Sequence, residues 1–225
     1  MKYDCGCENE IEPHSGILRS VDKCAFHSSK ITTDETRTYD YFKAMGCVDE
    51  RGIPQFANYI KELSQGLTKE DFLYLTEGLG RYFLELGPGL GMYIPLLLSG
   101  GGRYIGVESA DFAVEWIRST FYVPCIKQDV ETMPDDIRYD CVIAAHILEH
   151  VWDAPGLIKK MFKIARERVY IIVPDDLDPV NPDHKWFFTK DSLILSLKRA
   201  GFKNVRVAVQ KIVPQENFMY AVAEK

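Results

Sequence analysis

Residues 83–91 read FLELGPGLG, and this stretch decides the fold. An apolar strand ends just after Glu85, and three glycines follow at alternate positions, Gly87, Gly89 and Gly91. Glycine adopts backbone angles that side chains forbid, and it lets a ligand approach the main chain closely. A helix that begins after Gly91 would direct its first amide groups toward such a ligand. The stretch therefore predicts a ligand-binding turn between a strand and a helix.

The chain around this turn alternates short apolar runs with amphipathic segments. Strands are predicted in the runs RYFLEL, RYIGVE, PCIKQD, YDCVIAA, RVYIIVP, NVRVAVQ and FMYAVA. Helices are predicted at Pro54–Gln65, Thr68–Glu77, Gly91–Ser99, Asp111–Phe121, Ala154–Arg166 and Lys190–Ala200. Such alternation predicts a parallel sheet that is covered by helices on both faces. The last two strands leave no room for a helix between them, so we expect them to pair antiparallel.

The length of 225 residues allows one large domain with a small appendage. We predict a cysteine-rich hairpin at 1–30, a helical segment at 31–78 that forms a lid, and a main domain at 79–225. The predicted fold class is α/β, with a doubly wound, seven-stranded, mostly parallel sheet and an antiparallel last strand.

The overall charge bears on partners and location. The formal net charge is −6 and the pI is about 5.4, which argues against a nucleic-acid partner because nucleic-acid binding needs a basic face. No apolar run approaches the length of a membrane span. The first residues, MKYDCGCENE, lack the apolar stretch of a secretory signal. We therefore expect a cytoplasmic protein with no membrane partner.

The glycine turn differs from a dinucleotide-binding loop, in which the third glycine comes one residue later, as G-x-G-x-x-G. The stretch resembles E/D-x-G-x-G-x-G, the first motif of class I, Rossmann-like S-adenosylmethionine-dependent methyltransferases. Within that superfamily the chain resembles the small-molecule methyltransferases. The resemblance covers about the last two-thirds of the chain. It implies that S-adenosylmethionine is the cofactor and that Glu85, Gly87, Gly89 and Gly91 line its site.

The second and third strands extend the resemblance. RYIGVES ends a strand with Glu108, and KQDV follows the next strand with Asp129. An acid at the end of the second strand can accept both ribose hydroxyls of a nucleotide. The resemblance implies that Glu108 and Ser109 hold the ribose and that Asp129 and Val130 contact the adenine. The alternatives are a solvated carboxylate at Glu108 and a turn cap at Asp129.

The stretch AAHILEHVWD, residues 144–153, poses a separate question. His146, Glu149 and His150 match the inverted zinc-peptidase pattern H-x-x-E-H, which requires both histidines on one helix. The letters LEHV also resemble a segment that follows the fourth strand in many small-molecule methyltransferases. That resemblance implies that Ala145 and His146 lie beside the cofactor. His150 is expected to cap a helix or bond a carbonyl.

Two histidines are candidate catalytic bases, because an oxygen or nitrogen acceptor must lose a proton and the histidine pKa suits that task. His146 is the first candidate. His184, in NPDHKWFFTKDSL, is the second, because a similar segment helps to cover the substrate in the family. The aromatic residues 186–188 either form a substrate wall or pack a helix against the sheet.

The acceptor class is narrowed by the residues near the ends of the third and fourth strands. Amino-directed nucleic-acid methyltransferases carry Asn/Asp-Pro-Pro-aromatic after the fourth strand, where this chain has Ala-Ala-His-Ile. Cys125 follows a proline, as a catalytic cysteine does in cytosine methyltransferases, but it lies on the third strand and is predicted to be buried. We therefore expect a small molecule or a sugar as the acceptor, with a protein or RNA acceptor as the alternative. The alternatives are a regulator that binds the cofactor without turnover and an NAD-dependent oxidoreductase.

The N-terminal segment holds a possible metal site. Cys5 and Cys7 form one pair, and Cys24 and His27 form a second pair sixteen residues later. Four nitrogen and sulfur ligands in two pairs suit tetrahedral zinc, and a metal would stabilise a segment too short for a large core. Reduced thiols are the alternative. The segment is expected to dock a protein partner or brace the main domain.

Overall fold

A computed structural model describes residues 9–11, 18–20, 39–44, 46–175, 184–213 and 216–225. The strands in these residues are β1 (Asn9–Ile11), β2 (Leu18–Ser20), β3 (Tyr82–Leu86), β4 (Arg103–Glu108), β5 (Cys125–Lys127), β6 (Tyr139–Ala145), β7 (Ala165–Pro174), β8 (Trp186–Phe187), β9 (Asn204–Val213) and β10 (Glu216–Glu224). Seven of them form the central sheet, in the order β5-β4-β3-β6-β7-β10-β9.

The helices in the same residues are α1 (Tyr39–Ala44), α2 (Phe56–Gly66), α3 (Lys69–Thr76), α4 (Ile94–Ser99), α5 (Asp111–Phe121), α6 (Ala154–Ile164) and α7 (Lys190–Ala200). Thr68 caps α3, and Thr189 forms a capping box with Ser192 at the start of α7, as expected from the sequence. None of the helices in the described part of the chain has the length and apolar composition that a membrane crossing requires.

The sheet has the predicted mixed topology. Strands β5, β4, β3, β6 and β7 run parallel, and β10 pairs antiparallel with both β7 and β9. The chain leaves β3 in one direction toward β4 and returns on its other side as β6. This reversal of strand order creates a crevice at the carboxyl ends of β3 and β6, where ligands bind in open α/β sheets.

Alternation along the strands divides the core into two layers. Leu84 and Leu86 face the layer of α6 and α7, whereas Phe83 faces the layer of α3, α4 and α5. Helices on both faces confirm the doubly wound class. Glu85 lies two residues after Phe83 on the same face of β3, so its carboxyl group lies within the layer of α3, α4 and α5.

The N-terminal segment contributes a second, smaller sheet. β1 pairs antiparallel with β2, and β2 pairs antiparallel with β8, with Arg19 opposite Trp186. The antiparallel pair agrees with the expected hairpin. The proposed zinc ligands Cys5, Cys7, Cys24 and His27 lie outside the described residues, so the zinc site stays a prediction.

Candidate active site

The crevice at the end of β3 and β6 brings together two segments that are far apart in sequence. Leu86 at the end of β3 pairs with Ala144 on β6 and with Val107 on β4. The glycine turn that follows β3 therefore lies beside the AAHILEH segment that follows β6. The predicted cofactor residue Ala145 is the last residue of β6 and is half-buried at this edge.

The glycine turn has the backbone that its sequence predicts. Gly87, Gly89 and Gly91 have φ values of 62°, 55° and 76°, a region that side chains rarely adopt. A Cβ atom on Gly87 would overlap the side chain of Ile147, which follows β6. The turn and the β6 loop therefore pack against each other through a glycine. The expected helix begins later than predicted, at Ile94, because residues 91–93 form turns.

Glu108 fastens the turn to the neighbouring strand. Its Oε2 accepts a hydrogen bond from the Gly89 amide at 2.9 Å. Its Oε1 accepts from the amides of Ser109 at 2.8 Å and Ala110 at 2.9 Å. The Ser109 hydroxyl also lies 3.5 Å from Oε1, so the acceptor position left for a ligand hydroxyl is the second one on Oε2. The solvated alternative for Glu108 is wrong, since only 2% of this residue is exposed.

Glu85 is the second buried acid near the turn. Tyr104 on β4 donates a hydrogen bond to its Oε2 at 2.8 Å. Burial raises the pKa of Glu85 to about 7, although the Tyr104 hydroxyl opposes the shift. The carboxyl group is therefore poised to lose its proton when a cationic group binds nearby.

Asp129 and Val130 lie in the turn that follows β5. Asp129 is exposed, and its Oδ1 accepts a hydrogen bond from the Glu131 amide at 2.7 Å. The Val130 carbonyl accepts one from Lys160 at 3.3 Å. The turn-cap alternative for Asp129 therefore describes its geometry, and its adenine contact stays a prediction.

The helices before the main domain lie near the crevice. Phe42 on α1 is buried against Leu90, Met92 and Ala110, and its ring lies 3.1 Å from where a Cβ of Gly89 would stand. The Phe42 and Phe112 ring centroids are 6.3 Å apart. These aromatic rings pack beside the glycine turn, in which Gly87 and Gly89 remain half-buried, and the lid role of the segment stays a prediction.

The groups around the turn fit the expected cofactor chemically. Glu108 offers an acceptor for ribose hydroxyls, and Glu85 offers a carboxylate for a cationic amino group. Phe42 and Phe112 offer apolar surface for a nucleobase.

The segment after β6 is not the helix that a zinc peptidase requires. His146 has a φ of 56° and ends the strand, and residues 148–150 form turns. Histidine tolerates this left-handed conformation better than most side chains, but the backbone is strained there. The zinc-peptidase interpretation is therefore wrong, because His146 and His150 do not share a helical face.

His146 lies at the mouth of the crevice with a defined set of neighbours. Its side chain is 35% exposed, and its Nδ1 lies 3.4 Å from Oε1 of Glu149. Its ring packs edge-to-face on Phe218 of β10, with centroids 5.0 Å apart. Burial raises the pKa of Glu62 on α2, and the nearby His146 opposes that shift. His146 thus stands between β10 and α2.

Glu149 is buried beneath the histidines. It is 1% exposed, and neither carboxylate oxygen accepts a hydrogen bond from the described residues. Burial alone would raise its pKa, but His146, His150 and His184 together hold the pKa below its ordinary value. The sequence pattern pointed to Glu149, but its burial depends on contacts that the pattern does not reveal.

His184 and the aromatic residues after it have different surroundings. The His184 ring lies 4.8 Å from the His150 ring. Trp186, Phe187 and Phe188 are all buried, and Trp186 and Phe188 belong to the core beside α6 and α7. The packing alternative for this aromatic cluster therefore agrees with the structure better than the substrate-wall alternative.

Cys125 lies on β5 and is buried, as predicted. Burial raises the pKa of its thiol to about 12, with Glu108 adding to the shift. A thiol with so high a pKa is not a nucleophile at neutral pH. Cys125 is therefore a core residue.

Sequence reasoning missed residues that complete the crevice. Phe42, Glu62 and Phe218 reach it from α1, α2 and β10. No local motif marks them, because their positions depend on how distant elements pack. The mixed polar and aromatic composition of the segment 31–78 was the signal for Phe42 and Glu62, and Phe218 begins the predicted strand FMYAVA.

The comparisons with known proteins agree with this geometry. A family model described as "Methyltransferase domain" matches residues 56–207. Comparison with curated protein sequences gave no match.

Solved structures share the fold at low sequence identity. Magnesium protoporphyrin IX methyltransferase from Synechocystis PCC 6803, with bound SAM, is 15% identical over 87% of this chain and 99% of that chain, with a TM-score of 0.62. A SAM-dependent methyltransferase from Archaeoglobus fulgidus is 16% identical over 76% and 95%, with a TM-score of 0.59. The N-terminal domain of EvdMO1, with SAH and D-fucose, is 18% identical over 79% and 97%, with a TM-score of 0.56.

Proposed function

The chain belongs to the methyltransferase-domain family and is an S-adenosylmethionine-dependent methyltransferase, and from that premise we propose that its acceptor is an oxygen or nitrogen atom of a small molecule. One observation carries the proposal. The glycine turn after β3 and His146 after β6 face the same crevice, so a candidate base lies beside the predicted cofactor site.

The cofactor residues are assigned by their places around the crevice. Glu85 and the glycine turn would hold the methionine half, with Ala145 beside it. The buried Glu108 carboxylate, together with Ser109, would accept the ribose hydroxyls. Asp129 and Val130 would contact the adenine at the end of β5.

The protein must supply the catalytic functions that the cofactor does not. Bound S-adenosylmethionine supplies a methyl group that is already activated on a sulfonium sulfur. The protein has to align the acceptor, exclude water and remove the acceptor's proton. In our proposal His146 takes that proton on Nε2, while its Nδ1 faces the Glu149 carboxylate at 3.4 Å. His184 is the second candidate base.

The surroundings of His146 support a small acceptor. Phe218 offers an apolar face to the ring, and Glu62 on α2 stands near it. A crevice that combines aromatic side chains with acids suits a neutral or cationic molecule better than the phosphate backbone of a nucleic acid. Magnesium protoporphyrin IX methyltransferase, which shares this fold, acts by its name on a small molecule.

The test is label transfer from methyl-labelled S-adenosylmethionine to a metabolite extract by the purified full chain. We expect label in the small-molecule fraction, and we expect His146→Asn to lower the rate about 100-fold or more, as loss of a general base does. Asparagine tolerates positive φ, so this variant removes the imidazole with little added strain. S-adenosylhomocysteine affinity should not change.

Other outcomes would redirect the proposal. Label in protein or RNA would contradict the small-molecule acceptor. Cofactor binding without label in any fraction would favour the regulator. An unchanged rate in His146→Asn would remove His146 as the base.

We also propose zinc for the cysteine-rich segment, on the spacing of Cys5, Cys7, Cys24 and His27. Elemental analysis of freshly purified protein should then find zinc that Cys7→Ser lowers by one equivalent. Equal zinc content in the variant would contradict this ligand set.

A further inference from the structure

A group of metal-type ligands lies beside His146. Glu149, His150 and His184 each offer one ligand atom, and these atoms all lie within 4.8 Å of one another. The residues come from two segments, the turn after β6 and the chain just before β8. They are distinct from the N-terminal cysteines, where the sequence predicts zinc.

The buried carboxylate of Glu149 has the surroundings of a ligand for a cation. Its carboxylate is almost fully buried, yet neither oxygen accepts a hydrogen bond among the described residues. Buried polar groups are nearly always satisfied, and an ionised carboxylate without a partner is costly. Nδ1 of His146 lies 3.4 Å from Oε1, beyond the spacing of a strong hydrogen bond. A bound metal ion would satisfy the carboxylate.

The two segments are held together by the backbone. The Glu149 carbonyl accepts hydrogen bonds from the amides of Lys185 at 2.7 Å and Trp186 at 3.2 Å. The Trp186 indole donates to the Val151 carbonyl at 2.9 Å. These bonds fix the chain at His184 against the turn that carries Glu149, so the ligand atoms are positioned before any ion binds.

We propose that Glu149, His150 and His184 form a binding site for a divalent transition-metal ion at the acceptor side of the crevice. Two imidazoles and one carboxylate are a common ligand set for zinc and for non-haem iron. Three protein ligands leave coordination positions open for water or for another oxygen donor.

The geometry needs only a small adjustment. Zinc bonds of about 2.0–2.2 Å place tetrahedral ligand atoms about 3.4 Å apart. The three atoms, within 4.8 Å of one another, can reach that spacing by side-chain rotations of about an ångström. The Lys185 ammonium, which would repel a cation, is bonded to the His150 carbonyl at 2.6 Å and lies 4.7 Å from the centre of the Trp152 ring.

An open coordination position next to His146 suggests a role for the metal. In a part of the inference that rests on the proposed function, an oxygen atom of the acceptor binds the ion. The ion then lowers the pKa of that oxygen, which makes its proton easier for His146 to remove. Metal binding itself does not depend on this role.

The test is calorimetric titration of zinc into metal-stripped full chain. Wild type should bind one equivalent that Glu149→Gln and His184→Asn each lose, with affinity at that site weakened about 100-fold or more. His184 is only half-buried, so His184→Asn should fold even if Glu149→Gln does not. The same titrations are repeated with Cys7→Ser added to each chain, so that zinc bound by the N-terminal cysteines does not enter the comparison.

The matched control is His146→Asn, which changes a neighbouring histidine outside the three ligands and should keep the zinc. Equal zinc binding in wild type, Glu149→Gln and His184→Asn would overturn the site. Loss of the zinc in His146→Asn alone would overturn the ligand set. Failure of S-adenosylhomocysteine to bind wild type would refute the proposed function but leave the zinc result intact.

Discussion

The two halves of the crevice differ in how their polar groups are satisfied. At the ends of β3 and β4, the Glu108 carboxylate accepts three backbone hydrogen bonds and Glu85 accepts one from Tyr104. At the end of β6, the Glu149 side chain is as deeply buried, but its carboxylate accepts no hydrogen bond from the described residues. The buried carboxylates of the first half are hydrogen-bonded within the described residues, whereas the Glu149 carboxylate of the second half is not.

The two buried acids also differ in their protonation. Burial raises the pKa of Glu85 to about 7, but three neighbouring histidines hold the pKa of Glu149 below its ordinary value. Glu85 can therefore carry a proton at neutral pH, while Glu149 remains a carboxylate. This difference suits a cofactor side that binds a cationic group and an acceptor side that binds a metal ion.

Among the substitutions that test this comparison, Glu108→Ala is expected to have the largest effect. The substitution leaves the amides of Gly89, Ser109 and Ala110 without their acceptor, and each such loss costs about 1–3 kcal/mol. We expect the free energy of unfolding to fall by about 4 kcal/mol and S-adenosylhomocysteine affinity to fall at least tenfold. Urea denaturation and calorimetry measure the two effects. The exposed neighbour Asp111, changed to Asn, is the control, and equal effects in both variants would contradict the role of Glu108.

The contact between the halves is tested by Gly87→Ala. Its φ of 62° is unfavourable for alanine, and the added methyl group would overlap Ile147. We expect a loss of about 3 kcal/mol in the free energy of unfolding, from strain plus overpacking.

Gly80→Ala is the matched control for that substitution. Its φ is 76°, and a Cβ there would meet nothing within 4 Å. It should cost only the strain, about 1 kcal/mol. Urea denaturation measures the loss of unfolding free energy in both variants. Equal losses would show that the glycine turn and the loop after β6 are not closely packed at Gly87.

The raised pKa of Glu85 predicts a pH dependence of stability. Its folded pKa of about 7 exceeds the ordinary value of 4.5, so the folded chain binds more protons between these values than the unfolded chain. This stabilising contribution is lost as the pH rises through about 7. We expect wild type to lose a few kcal/mol of unfolding free energy between about pH 5 and 8 that Glu85→Gln does not lose.

Urea denaturation across that pH range measures the difference between the two chains. Glu149 does not mask this pH dependence, because its pKa in the folded chain is lowered. The stability that Glu149 contributes is lost only below its ordinary pKa, as the pH falls through the folded pKa. Parallel pH profiles for wild type and Glu85→Gln would contradict the assignment.

The smallest effect is expected from Cys125→Ala. The buried thiol has a pKa of about 12 and packs within the core, so its loss should cost about 1 kcal/mol. S-adenosylhomocysteine affinity should stay within about twofold of wild type by calorimetry. A larger loss of affinity would show that β5 contributes more to the cofactor side than its packing suggests.

The sequence predicted the geometry of the glycine turn better than that of the segment after β6, for a physical reason. The glycine turn and Glu108 belong to short local patterns, in which backbone angles and strand ends are set by neighbouring residues. Their geometry agrees with the prediction, except that the helix after Gly91 starts at Ile94. The strand order also agrees, because the alternation of apolar and amphipathic segments leaves few topologies.

The acceptor half depends on contacts between distant segments. The letters around His146 read as a helical zinc motif, but the positive φ of His146 breaks any helix at that point. His184 lies beside His150 because hydrogen bonds from Lys185 and Trp186 hold the chain before β8 against the turn after β6. The spacing of residues along the sequence carries no information about these hydrogen bonds. The grouping of Glu149, His150 and His184 was therefore not predicted.

The central claim is that the turn after β3 binds S-adenosylmethionine, and one measurement tests it most directly. Calorimetric titration of the full chain with S-adenosylhomocysteine should show one equivalent bound, with NAD giving no heat under the same conditions. Absence of heat with S-adenosylhomocysteine, or saturable binding of NAD, would contradict the claim.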